Sequence, residues 1–141
     1  MNDSVVSKSV RHLLSELEDK LQEDEEENSR ALDEQIKNIL LALNTLVGNK
    51  LLDKALAISS KRGTIIEYKA VCGRSGFLVQ GDSAEYRVLS VGYCSCKNFL
   101  LERAGSPVPI CKHILAVHLA RAQKTIHTVS VSDEEWGKLN W

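Results

Sequence analysis

The chain has 141 residues, 43% of them hydrophobic, and a formal net charge of −1. This length suits one domain, or a domain with a helical extension, and the hydrophobic fraction is large enough to build a core. The sequence has no apolar run of bilayer-spanning length, and its N-terminus lacks the features of signal and transit peptides. We therefore expect no membrane span and a cytosolic or nuclear location.

The near-neutral total conceals an uneven distribution of charge. Residues 1–60 carry 7 Lys/Arg and 12 Asp/Glu, residues 61–127 carry 10 and 4, and residues 128–141 carry 1 and 3. The central segment is therefore basic and both flanks are acidic. Such a segment is compatible with nucleic-acid contact, but so mild an excess is also typical of an ordinary protein surface.

The first predicted unit, residues 1–54, is helical. Apolar residues recur at intervals of three and four over 5–22 and again over 31–47, which predicts two amphipathic helices. The acidic run at 23–28 predicts a solvated linker between them. The first helix therefore has two possible roles: it packs on the domain, or it binds a partner protein.

The pattern becomes extended after this region. The residues that follow Gly48 predict a short third helix to about Lys54 and then a strand over Ala57–Ser59. Strand formers separated by turn residues predict an antiparallel β-meander over 64–71, 77–80 and 85–91, followed by helices over 97–105 and 111–124. We expect residues 55–127 to form a second, metal-binding unit, and the fold class to be α+β.

Residues 128–141 form a predicted tail. Ser132 and Glu135 have the spacing of a capping box, which predicts a short final helix. Trp136 and Trp141 lie in this tail, and they either pack on the domain or act as anchors for a partner.

Two tight pairs of residues predict a metal site: Cys94 and Cys96 in "GYCSCKNF", then Cys111 and His113 in "PICKHILAVHLA". Two cysteines at C-x-C spacing on a strand end can turn both sulfurs toward one ion, and a helix N-terminus stabilises thiolate. Three thiolates and one imidazole form the closed tetrahedral donor set that structural Zn²⁺ prefers. In a reducing compartment, four cysteines also favour a metal over disulfides.

We therefore predict one structural Zn²⁺ bound by these four residues. The site would carry a net charge of −1, which three nearby basic residues could offset: Lys97, Arg103 and Lys112. An alternative set replaces Cys111 with His118, but it leaves a thiol beside the ion without a role. Cys72 lies 22 residues before the first pair, and we expect it to be a buried structural thiol.

With these residues identified, the chain resembles the SWIM zinc-finger family, whose signature is C-x-C followed by C-x-H between a β-hairpin and a helix. All four ligand positions match, and the resemblance is strongest over 64–124. The chain's length and the segment "VSVSDEEW" are similar to those of the short SWIM subunit of the Shu complex. The resemblance implies a non-enzymatic nuclear protein that pairs with a RecA-like recombinase paralogue and promotes recombinase filament assembly in homologous recombination repair.

The residues themselves leave two further functions to weigh. An enzyme is disfavoured because the sequence has no phosphate-binding loop and C-x-C is not the C-x-x-C redox motif. The family resemblance likewise implies no small-molecule substrate, and contact with DNA mainly through the complex. The alternative is an autonomous zinc-dependent DNA-binding module, whose candidate phosphate contacts are the basic residues Lys61, Arg62, Lys97, Arg103, Lys112, Arg121 and Lys124.

Overall fold

A computed structural model describes residues 5–22, 29–81, 83–89, 93–103, 110–139 and 141. In chain order its elements are α1 (Val5–Gln22), α2 (Ser29–Val47), α3 (Asn49–Ser59), β1 (Ile65–Ala70), β2 (Ser75–Gln80), β3 (Glu85–Leu89), β4 (Tyr93–Cys94), a π-helix (Phe99–Arg103), α4 (Lys112–Gln123), β5 (His127–Val131) and α5 (Asp133–Gly137). The fold is α+β, with helices first and a sheet after them, as the sequence predicts. The predicted linker at 23–28 lies outside the described residues, as do residues 104–109.

The first helix packs on the domain. Its side chains Val10, Leu14 and Leu17 are at most 4% exposed and belong to the main hydrophobic core. These residues are spaced at four and three, so they form one face of the helix. That face contacts both α2 and α4. Of the two roles open for residues 5–22, the structure therefore shows packing within the chain.

The strand predicted over Ala57–Ser59 is wrong, because α3 continues through these residues. Leu51, Leu52 and Ala55 are buried with Ser59 on one face of α3, and this face packs against α4. The helical burial pattern therefore overrides the weak strand preference of the segment. Gly48 separates α2 from α3 with φ of 91°, a left-handed conformation that glycine adopts without strain.

The sheet has five strands in the order β4-β3-β2-β1-β5. Strands β1 to β4 form the predicted antiparallel meander, whereas β5 pairs with β1 in parallel. The sheet is therefore mixed. The parallel pairing follows from the path of the chain, because α4 carries it back across the sheet before β5 begins.

The core lies between one face of this sheet and the helices. Ile65, Phe77, Val79 and Val88 are buried on this face, and α4 contributes a nearly continuous buried run over 113–117. Helix α4 contacts α1 and α3 as well as strands β2, β3 and β4. It is therefore the central element of the molecule, and its N-terminus is fixed relative to both the helical layer and the sheet.

The C-terminal tail covers the other face of the sheet. The predicted capping box is present: Ser132 accepts from the backbone N–H of Glu135, and the Glu135 carboxylate accepts from the N–H of Ser132. Beyond α5, Trp141 stacks on Trp136 with 5.3 Å between ring centroids. The Arg87 side chain on β3 also donates a 2.8 Å hydrogen bond to the Leu139 carbonyl.

None of the described helices is both long enough and apolar enough to cross a membrane. The predicted division into units at 1–54, 55–127 and 128–141 stays a prediction.

Candidate metal centre

The first cysteine pair lies at the edge of the sheet, where strand β4 ends. Cys94 pairs with Val88 of β3. The intervening Ser95 stays attached to β3, since its N–H donates to the Arg87 carbonyl at 3.0 Å and its hydroxyl accepts from the Arg87 N–H at 2.9 Å. In extended backbone, residues two apart project to the same side. Cys94 and Cys96 therefore turn toward one point while the residue between them holds the strand in register.

The second pair lies at the start of α4. Cys111 is the N-cap residue of this helix, with extended backbone angles, and its carbonyl accepts the N–H of Leu115 at 3.0 Å. His113 follows in the first turn of the helix. The positive end of the helix and its unpaired N–H groups favour a thiolate at this position. The fold thus brings the sheet edge and the helix N-terminus together.

The structure brings all four predicted ligand residues into one buried group. The donor atoms of Cys94, Cys96, Cys111 and His113 all lie within 4.8 Å of one another. The Nδ1 atom of His113 is 3.7 Å from the Cys94 sulfur and 4.0 Å from the Cys111 sulfur. Tetrahedral ligation with ordinary Zn–S and Zn–N distances requires sulfur and nitrogen to lie about 3.6 Å apart. The donor set and its spacing therefore fit one structural zinc ion.

Backbone N–H groups also point at the sulfurs. The Cys96 N–H donates to the Cys94 sulfur at 3.5 Å, and the Phe99 N–H donates to the Cys96 sulfur at 3.3 Å. Such bonds stabilise sulfur in its charged form, which is the form that binds a metal. The loop after the first pair is therefore shaped around thiolates.

The three thiols cannot all ionise on their own. A hydrogen bond from Cys94 lowers the pKa of Cys111 to about 4, assisted by His113 and the Ile114 N–H. The same bond to Cys111, together with burial, raises the pKa of Cys94, and burial raises the pKa of Cys96. Three negative charges in one buried pocket repel each other, so a divalent cation is the partner that allows all of them to ionise.

An aromatic ring supports the histidine. Tyr86 of β3 stacks on the imidazole of His113, with ring centroids 4.2 Å apart and an angle of 25° between planes. This contact fixes the ring plane of His113 while Nδ1 faces the thiols. The sequence offered no signal for it, because Tyr86 is 27 residues from His113 and only the folded sheet makes them neighbours.

The other sequence-predicted residues lie outside the group. His118 is partly buried on α4 and is not one of the clustered ligands, so the structure does not support the alternative that uses it. The prediction that Cys72 is a buried thiol is wrong: Cys72 is exposed in the β1–β2 turn, where its N–H donates to Asp133 Oδ1 at 2.9 Å. The turn projects into solvent because Gly73, with φ of 98°, reverses the chain directly after it.

The structure describes the side chains of two of the three basic residues that the sequence predicts to offset the negative charge of the site. Lys97 is exposed and Lys112 is partly buried, and both line a cavity beside the metal group. The side chain of Arg103 lies outside the part of the chain that the structure describes. Cationic groups therefore flank the site next to each ligand pair, where they reduce the energetic cost of its net negative charge.

The chain is similar to a curated protein over most of its length. It is 34% identical over 131 residues to the Homo sapiens protein named Zinc finger SWIM domain-containing protein 7, and the alignment covers 89% of this chain and 85% of that protein. No protein-family model matches the chain. No solved structure matches it either.

Proposed function

The chain belongs to the SWIM zinc-finger family, and on that premise we propose that it is a non-enzymatic, zinc-stabilised adaptor. In this role the metal holds the fold, and the fold presents a surface to another protein. The four-residue donor set supports this proposal, because four protein ligands leave no position for a reacting water. A site of that kind contributes to stability and does not carry out hydrolysis.

The observation that carries the adaptor role is an apolar surface attached to the metal group. Leu100 is 52% exposed and Leu101 is 80% exposed, both on the π-helix. This π-helix is fixed to the first cysteine pair, since the Phe99 N–H donates to the Cys96 sulfur and the Leu100 N–H donates to the Cys96 carbonyl. Adjacent exposed leucines on a fixed element are typical of a protein-binding site.

For the partner, we propose a RecA-like recombinase paralogue, and for the location, the nucleus. In this account the pair promotes recombinase filament assembly during homologous recombination repair, as part of a Shu-type complex. The similarity of the whole chain to a SWIM-domain protein supports the proposal, as does the motif formed by Cys94, Cys96, Cys111 and His113. Any nucleotide site of the complex then belongs to the partner, and this chain needs no small-molecule substrate.

Co-expression tests the adaptor function. The tagged chain is expressed with a RecA-like paralogue from the same source, and the purified material is assayed for the partner and for zinc. We expect the wild-type chain to retain the partner and Leu100→Asp/Leu101→Asp to lose most of it with zinc content unchanged. Leu41→Asp is the matched control, because Leu41 is 55% exposed on α2 and so is similarly accessible elsewhere.

Three outcomes count against this function. If the Leu100/Leu101 variant and the Leu41 variant recovered equal amounts of the partner, the proposed binding surface would be wrong. If the wild-type chain retained no RecA-like paralogue, the proposed partner would be wrong. Nucleotide hydrolysis by the zinc-loaded chain alone would contradict the non-enzymatic role.

A further inference from the structure

Ser132 joins β5 to α5, and it is exposed to solvent. Its backbone is extended, with φ of −70° and ψ of 162°. Three acidic residues follow it in the sequence, Asp133, Glu134 and Glu135, and all three are exposed. A protein kinase with a basic substrate groove selects a serine of this kind, because the carboxylates after the hydroxyl pair with its basic side chains. The segment therefore has the charge pattern of a substrate for an acidophilic kinase.

The segment around Ser132 can also open locally, as a kinase requires of a serine next to a helix. Helix α5 has five residues, and none of them is buried. The indole Nε1–H of Trp136 is buried, yet it has no hydrogen-bond partner among the described residues. An unpaired buried donor costs the docked tail free energy. Local opening of residues 132–137 therefore exposes no core side chain and relieves one unpaired donor.

We propose that Ser132 is phosphorylated by an acidophilic protein kinase, and that the phosphate releases the C-terminal tail from the sheet. In this transfer the γ-phosphorus of ATP forms a bond with Oγ of Ser132, and its bond to the oxygen that bridges the β-phosphate breaks. ADP leaves with that electron pair, and the hydroxyl proton passes to the kinase. The kinase and ATP supply all that the step needs.

The phosphate would be placed against a carboxylate. The Ser132 hydroxyl accepts the N–H of Glu135 at 3.0 Å, and the Glu135 carboxylate accepts the N–H of Ser132 at 3.2 Å. A phosphoserine carries a charge of about −2 at neutral pH. Its repulsion from the carboxylate opposes the second of these hydrogen bonds and opens the capping box. A helix as short as α5 has too few aligned peptide dipoles to offset this repulsion.

The cations near α5 are already engaged. Lys138 pairs with Glu134 at 3.4 Å, and the guanidinium of Arg74 lies 5.6 Å from the centroid of the Trp136 ring. An Arg74 side chain that turned toward the phosphate would leave the ring, so the tail would still lose a contact. The charge added at Ser132 therefore destabilises the docked tail.

Opening of α5 removes the support of Trp141. The Trp136 ring stacks on Trp141 at 5.3 Å between centroids, and the Trp136 carbonyl accepts the Trp141 Nε1–H at 2.9 Å. Trp141 in turn lies against Gly76 and 6.4 Å from the ring of Tyr68. Release of the tail therefore uncovers Gly76 and Tyr68 on that face of the sheet. This face is separate from the π-helix, so the proposal does not depend on the protein partner proposed above.

An in vitro phosphorylation assay tests the acceptor residue. The zinc-loaded full-length chain is incubated with casein kinase II and magnesium ATP, and mass spectrometry locates the phosphate. We expect it on Ser132. Ser132→Asn should lose nearly all of it, while asparagine preserves the N-cap. Ser130→Ala is the matched control and should keep the wild-type rate, because Ser130 is also exposed and also has an acidic residue, Asp133, three positions later.

A second pair of variants tests the charge recognition. Glu135→Gln removes the negative charge three positions after Ser132 but keeps the capping box, which glutamine also forms. It should lower the phosphorylation rate by about tenfold. Glu134→Gln makes the same change in net charge one position earlier and should lower the rate by less than about threefold. Zinc content and circular dichroism verify that each variant is folded.

Tryptophan fluorescence tests the release of the tail. The chain has two tryptophans, Trp136 and Trp141, and both lie in the tail, so the emission reports on this segment alone. Phosphorylation should raise acrylamide quenching by about twofold, with zinc content unchanged, and a phosphatase should reverse the effect. Trp141→Ala should be phosphorylated about threefold faster than the wild type, because its tail is open in a larger fraction of molecules.

Three results would overturn the proposal. These are a phosphate that is absent from Ser132, equal phosphorylation rates for the wild type and Glu135→Gln, and unchanged tryptophan quenching in a fully phosphorylated chain. None of these measurements involves a RecA-like paralogue, so this proposal and the proposed function fail separately.

Discussion

The four ligand residues do not contribute to the site in the same way. Cys94 and Cys96 are positioned by a strand end, and their sulfurs accept backbone N–H groups. Cys111 is positioned by the start of α4, where it carries the negative charge most readily. His113 is held by the stacked ring of Tyr86. The two pairs are thus fixed by different local structures, and a bound zinc ion would join them.

Replacing a ligand should therefore affect the whole chain. We predict that Cys94→Ser lowers bound zinc from about one ion per chain to a small fraction, and lowers the free energy of unfolding by at least about 3 kcal/mol. The control is Cys72→Ser, because Cys72 is exposed and outside the group. It should change stability by less than about 0.5 kcal/mol. Metal analysis and urea unfolding measure both effects, and equal behaviour of the two variants would refute the assignment.

His118 gives a pH dependence that is separate from the metal ligands. Burial, assisted by the nearby Arg121, lowers its pKa to about 4 from an ordinary value of 6.5. Between these values the unfolded chain binds more protons than the folded chain, so stability rises with pH. The contribution is complete above about pH 6.5 and is lost as the pH falls toward about 4, up to about 3 kcal/mol in total.

Comparison with His118→Gln isolates this effect. With excess zinc present, lowering the pH from about 7 to about 5.5 should lower the free energy of unfolding of the wild type by about 1 kcal/mol more than that of the variant. Urea unfolding at each pH measures it. A difference that stays constant with pH would show that His118 titrates normally in the folded chain.

The sequence singled out four residues that the structure brings into one buried group, because C-x-C and C-x-H are local patterns and the chemistry of thiolates and imidazole is specific. It did not predict the roles of Tyr86 and Ser95. Their roles depend on pairing across strands or on helix packing, and such contacts leave no local pattern. Cys72 was placed wrongly because a cysteine in a turn and a cysteine in a core look the same in a single sequence.

Among the secondary structure elements, the tail makes the most specific contact with the sheet. A Cβ atom added to Gly76 would lie 2.6 Å from the ring of Trp141. The position therefore requires glycine for as long as Trp141 occupies that face. Trp141 is also held by its Nε1–H, which donates to the Trp136 carbonyl at 2.9 Å.

We predict that Gly76→Ala displaces Trp141 and lowers the free energy of unfolding by about 1 kcal/mol. In a Trp141→Ala background the same substitution should be nearly neutral, because the clash is then absent. Urea unfolding of the two single variants and the double variant gives the coupling, with an expected magnitude of about 1 kcal/mol. Additive effects would mean that the tail does not lie on Gly76.

The elements themselves were predicted to different degrees. The two long helices, the meander, α4 and the final capped helix follow from periodicity and capping residues. The end of α3 was missed, because packing on α4 extends the helix through Ala57 and Ser59. The parallel pairing of β5 with β1 was also not predictable, since strand order depends on how α4 crosses the sheet.

In the whole molecule, the metal group joins two layers that otherwise meet through apolar packing. Three helices and α4 form one layer, the sheet forms the other, and the four ligands connect the sheet edge to the start of α4. The proposed partner surface adjoins this connection. Binding energy at a structural zinc site adds directly to folding stability. We therefore expect metal binding, folding and the proposed partner contact to be lost together.

Thermal unfolding of the zinc-loaded chain and of the same chain after chelation tests this dependence most directly. We predict one cooperative transition with zinc, and a transition that is lost or lowered by at least about 15 °C after chelation, with recovery when zinc is added back. A chelated chain that contains no metal and unfolds cooperatively at an unchanged temperature would contradict the account.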